Sequence, residues 1–123
     1  MTLLLAIIGH LVGYYILQND FHALNKKASG CKGLIACTIH ATLWTLAVVL
    51  FAGWPIIGCS TAILFATHWV QDRTGIIMWW MTKVNGQTKF ATGPCAPWSI
   101  IVVDNVWHIV AIWAVWKFAL NSL

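Results

Sequence analysis

Apolar residues run through four stretches of the chain, and short polar segments separate them. The first, TLLLAIIGHLVGYYIL, predicts a helix over 2–17 that ends where QNDFHALNKKASGCKG begins. The second predicts a helix over 34–52, closed by the turn signal Gly53-Trp54-Pro55. The third covers 56–71 and stops at Asp-Arg-Thr-Gly, and the fourth covers 98–120. Between the last two lies IIMWWMTKVNGQTKFATGPCAP. Its Ile76–Met81 portion reads as a short interfacial helix or re-entrant piece, because Trp prefers the headgroup level of a bilayer. The first stretch has neither a basic leader nor a small-x-small cleavage site, so it reads as a retained helix.

Composition turns four apolar helices into four membrane spans. Hydrophobic residues make up 60% of the 123 residues and charged residues 8%, with no Glu at all. Soluble domains are about a quarter charged. The expectation is an all-α polytopic membrane protein, one integral domain over 1–123, with a four-helix transmembrane bundle and an interfacial helix between helices three and four. Its first partner is the lipid bilayer. Nothing resembles a phosphate-binding Gly loop, a Ser–His–Asp triad order or a nucleic-acid module. Cys31, Cys37, Cys59 and Cys95 form no CxxC pair and read as small hydrophobes. Lys26, Lys27 and Lys32 lie in the first loop, and Arg73, Lys83 and Lys89 in the third, with Lys117 the exception. The positive-inside rule then puts loops one and three in the cytoplasm and both termini outside. Gly9 and Gly13 make a small-x3-small face suited to close helix packing, within the bundle or in a homo-oligomer.

The polar residues inside the spans form a layer. At about 1.5 Å per residue, His10, His40, Asp104 and His108 all fall about 9–15 Å inside the cytoplasmic boundary, and His68 lies closer to it. Every helix contributes a His, and the outer half carries no His or acid. His68 and Asp72 are four apart, as are Asp104 and His108 and also His10 and Tyr14. That spacing puts each pair on one helix face. Ionisable groups are costly in a membrane and face the protein interior, so Asp104 and His108 are expected to point at the other helices.

The polar positions together resemble a family. HLVGYYILQNDFHALNKK, a lone His40, HWVQDRT and VVDNVWH are similar to the phage and bacterial membrane proteins grouped as domain of unknown function 3307. The resemblance is carried by His10, Gln18, Asp20, Lys26, His40, His68, Asp72, Asp104 and His108. Tyr14 stands where that pattern has an acid, and Asn105 where it has Gln. The family has no settled activity. Its phage association implies a location in the inner membrane of an infected bacterium.

Three functions remain open. Imidazole and carboxylate ligands from facing helices suit a divalent metal such as Zn, Mn or Fe, with His10, His40, His68, Asp72, Asp104 and His108 as candidate ligands. Such a site can support a metal-dependent hydrolase, with Asp72 or Asp20 as base and Lys26 or Arg73 holding an anionic group. Alternatively the cluster is a structural hydrogen-bond network, and the protein acts through its surface on a host membrane protein, as in superinfection exclusion. Trp79 and Trp80 are then one candidate surface. The third reading is a proton or ion path built on His and Asp.

Overall fold

The computed structural model describes residues 3–53 and 58–121, and every regular element among them is helical. Helix α1 (Leu3–Leu11) runs into a π-helical segment, Val12–Ile16. Then come α2 (Asp20–Asn25), α3 (Gly30–Ala52), α4 (Cys59–Arg73), α5 (Ile76–Trp79) with a second π-helical segment (Trp80–Val84), α6 (Thr88–Thr92) and α7 (Trp98–Asn121). Helices α3 and α7 are long and apolar enough to cross a membrane. Four helices pack in a ring: α1 on α3, α3 on α4, α4 on α7 and α7 on α1.

Three differences from the sequence expectation have local causes. The first polar segment contains α2, because Asn19 Oδ1 accepts the His22 N–H at 3.1 Å and Asp20 occupies the first turn. A side-chain cap and an acid satisfy and complement the free N–H groups there. Helix α3 begins at Gly30, not 34, so Lys32 belongs to its first turn. A Lys there keeps its ammonium in water while its stem lies along the helix. Helix α4 runs through Arg73, which keeps Asp72 on the helix face of His68. The second helix ends as expected: Gly53 takes a positive φ of 62°, and its N–H caps Val49 at 2.7 Å. Residues 54–57, with Trp54, Pro55 and the expected start of the third helix at 56, lie outside the described residues, as does Thr2.

Buried positions follow helical periodicity. In α4 they are Ser60, Leu64, His68 and Asp72, and in α7 Asp104, Asn105, His108, Ile112, Val115, Trp116 and Ala119. The interior therefore has two zones. Ala6, Val48, Ala52, Leu64, Ile112, Val115 and Trp116 form an apolar core, which meets the polar cluster at Trp44 and Tyr14. The outward faces of the long helices carry Leu34, Ile35, Ile39, Leu46, Leu50, Val102, Val106, Val110 and Phe118. At the loop end, Ile77, Met81 and Ala91 make a small second core, with Trp80 packed edge-on against Trp107 at 5.3 Å.

Glycine sets the approach of α1 to α3. A Cβ on Gly9 would lie 2.7 Å from Ala47 O and 2.8 Å from Val48 Cα; one on Gly13 would lie 2.9 Å from Trp44 Cα. These are backbone atoms and cannot step aside. Gly9→Ala is therefore expected to cost about 1–3 kcal/mol through overpacking, although Ala is the better helix former. Gly75→Ala, facing open space, is the control. Circular dichroism on heating in detergent compares them, and a Gly9→Ala midpoint at or above the parent's would show that α1 does not seat here.

Candidate metal centre

The polar cluster is built one helix turn at a time. His68 and Asp72 share a face of α4, Asp104 and His108 a face of α7, and His40 and Trp44 a face of α3. Tyr14 comes from the π-helical segment after α1. Such segments recur at functional sites because the extra residue re-aims a side chain. His10, His40, His68, Asp72 and His108 are all at most 1% exposed.

Asp72 is the hub. Its Oδ2 lies 3.0 Å from His40 Nε2, 3.2 Å from His68 Nε2 and 3.0 Å from Lys26 Nζ. Its Oδ1 lies 3.5 Å from His108 Nε2. The Lys26 ammonium reaches in from the turn that closes α2, also donates to Gln18 Oε1 at 3.3 Å, and sits 5.0 Å from the Tyr14 ring centroid. A buried carboxylate is tolerable only with such partners.

The remaining contacts order the imidazoles. His40 Nε2 and His68 Nε2 are 3.2 Å apart, and His68 Nδ1 faces His108 Nδ1 at 3.2 Å. The Trp44 indole stacks on the His68 ring at 3.9 Å and 12°. Asp104 Oδ2 accepts the Tyr14 hydroxyl at 2.7 Å and lies 3.4 Å from His108 Nε2. That His108 nitrogen makes no well-formed hydrogen bond, though it sits between two carboxylates.

Five of the six expected ligands fall into two groups that share Asp72. One is His40, His68 and Asp72; the other is Asp72, Asp104 and His108. In each group three ligand atoms lie within 4.8 Å of one another, near enough to hold a divalent ion. His10 belongs to neither group. Trp44 Nε1–H donates to its Nδ1 at 2.9 Å, so its Nε2 carries the proton and donates to Asn105 Oδ1 at 3.0 Å. Both ring nitrogens are thus committed within the protein, and Asn105 is held in turn by its own amide on Ile101 O at 2.9 Å. Asp20, the other expected base, is exposed in the first turn of α2 and stands outside the cluster. Arg73 follows Asp72 at the end of α4 and is partly exposed.

Sequence reasoning did not assign Trp44, and His22, at the cytoplasmic boundary with Asp20, reads from sequence as solvated, which the structure corrects. Trp44 is one turn from His40, a spacing that marks it as sharing the face. His22 is buried beside His40, with ring centroids 6.2 Å apart. Burial, and then the neighbouring His40, pull its imidazole below the usual pKa.

The family model described as Protein of unknown function (DUF3307) matches residues 2–123, and the chain belongs to that family. Neither the curated proteins nor the solved structures yield a match.

The network makes a prediction independent of any ion. Trp44→Phe keeps a ring on His68 but strands the His10 Nδ1 lone pair. An unsatisfied buried acceptor costs about 1–3 kcal/mol, so thermal unfolding in detergent should show a loss of that size. An unchanged midpoint would mean that the indole–imidazole bond contributes nothing.

Proposed function

We propose that this is a four-span membrane protein that binds a divalent metal ion at His40, His68 and Asp72, on the cytoplasmic side of the bilayer. The observation that carries the metal reading is a triangle of ligand atoms. His40 Nε2, His68 Nε2 and Asp72 Oδ2 are 3.0, 3.2 and 3.2 Å apart pairwise. Ligands about 2.0–2.1 Å from a zinc ion stand about 3.3 Å apart at the tetrahedral angle. The triangle therefore fits one face of a coordination shell and leaves a further position open. Two imidazoles and a carboxylate suit Zn, Mn or Fe.

A bound ion would supply Lewis acidity and water activation near neutral pH, which makes a metal-dependent hydrolase the enzymatic form of this reading. The chain's own residues suit an anionic substrate. Lys26 lies at the triangle's edge and is partly exposed, so its ammonium can turn from Asp72 to a phosphate or carboxylate. Asp72, surrounded by three imidazoles and an ammonium, suits a ligand better than a free base. The same ion pair favours a second reading, a structural network in which Lys26 neutralises Asp72 and the protein acts through its surface, Trp79 included. An ion path has less support, since the interior beyond the cluster is largely apolar.

The membrane reading rests on α3 and α7, on their apolar outward faces and on the basic loops. Leu3–Ile16 and α4 (Cys59–Arg73) are shorter than the roughly 20 residues of a full crossing. Short spans are accommodated by local bilayer thinning at modest cost.

Elemental analysis of protein purified in detergent without chelator tests the metal. One equivalent is expected in the parent and none in His40→Ala or His68→Ala. A parent free of metal leaves the structural network. The native cysteines test the topology, because Cys31, Cys59 and Cys95 are exposed while Cys37 is buried. A membrane-impermeant maleimide added to intact spheroplasts should label Cys59 alone, and Cys31 and Cys95 should react only after lysis. The reverse pattern would invert the protein.

A further inference from the structure

Two ligand groups sharing Asp72 suggest two ions, but the protons do not allow it. A neutral imidazole carries one N–H and one lone pair. A nitrogen that binds a metal must present the lone pair, which places the proton on the other nitrogen. In the two groups, His68 and His108 each face Asp72 through Nε2. Were both Nε2 atoms ligands, both Nδ1 atoms would carry protons. Those Nδ1 atoms face each other at 3.2 Å, a contact that needs one donor and one acceptor. One proton fits between them and two do not.

We infer that the centre holds one ion at a time, at His40, His68 and Asp72, and that His108, Asp104 and Tyr14 form a chain of polar contacts behind His68 that sets its tautomer. This rests on the metal reading above. Two observations choose between the groups. The distances to Asp72 are shorter in the first, 3.0 and 3.2 Å against 3.5 Å for His108. In the second, Asp104 Oδ2 already accepts the Tyr14 hydroxyl at 2.7 Å. An ion on the first group requires the lone pair of His68 Nε2. His68 Nδ1–H then donates to His108 Nδ1, and His108 carries its proton on Nε2. That nitrogen lies 3.4 Å from Asp104 Oδ2 and 3.5 Å from Asp72 Oδ1. The Nε2 atom without a well-formed bond would then carry an N–H with a carboxylate oxygen from Asp104 and one from Asp72 beside it. His108 is a positioning residue for His68, and Asp104 and Tyr14 position His108.

The test uses the full chain in detergent with Zn²⁺ alone. Titration should saturate at one ion per chain. His68→Ala should bind none. His108→Ala and Asp104→Asn should each still bind one, with affinity lowered about 10–100-fold as for other partners of metal-bound imidazoles. Circular dichroism confirms that each variant is folded, and Asp104→Asn preserves the shape if His108→Ala does not fold. Long-range proton–nitrogen NMR on ¹⁵N-histidine protein with Zn²⁺ bound should show His68 protonated at Nδ1 and His108 at Nε2. Two ions per chain, His108 protonated at Nδ1, or a folded Asp104→Asn that binds no zinc would overturn the inference while leaving a metal site. A parent that binds no zinc would overturn the metal reading and this inference with it.

Discussion

The structure depends on the Asp72 carboxylate. At 1% exposure it has lost its water, and an unpaired charge there would be prohibitive. One ammonium and three imidazole nitrogens surround it, and each comes from a different part of the chain: Lys26 from the turn after α2, His40 from α3, His68 from its own helix and His108 from α7. Satisfying one carboxylate therefore fixes three helices and the loop that closes their end. It also explains why the first polar segment folds back, since Lys26 reaches Asp72 only from the α2 turn.

Packing serves the same end. Gly9 and Gly13 let α1 lie against the α3 backbone, which brings Tyr14 to Asp104 and His10 to Trp44. Trp44 joins the zones: its ring stacks on His68 and its N–H holds His10, while it also belongs to the apolar core. The arrangement is inverted relative to a soluble protein. Ionisable groups lie inside, and Leu, Ile, Val and Phe face outward along the long helices. A bilayer suits that arrangement, because lipid takes the apolar faces and pairing in the interior offsets the cost of the ionisable groups.

Much of the candidate site was legible because helical spacing is local. His68 with Asp72 and Asp104 with His108 are pairs that any helix places on one face, and the interior is where membrane helices put such groups. His10 shows the limit. It shares the layer and the spacing, yet the indole of Trp44 and the amide of Asn105 take both its nitrogens. Sequence distance hides those partners, 34 and 95 residues away. Tyr14 is similar: as a departure from the family pattern it looks like a lost acid, and in the fold it is the donor that occupies Asp104.

The sequence by itself determined the helical class, the apolar stretches, the His and Asp layer and the family, because these follow from composition and from periodicities a few residues long. It also held the signal for α2, an Asn cap and an acid in the first turn, in a segment whose polarity made it read as loop. The tertiary structure alone decided which nitrogen faces which oxygen. In the proposed site that choice separates ligands from supports: His40, His68 and Asp72 converge, His108 faces His68 through Nδ1, and both nitrogens of His10 are taken by Trp44 and Asn105. The physical reason is that an imidazole has two nitrogens and one proton. Its role depends on partners brought from other helices, which no local pattern encodes.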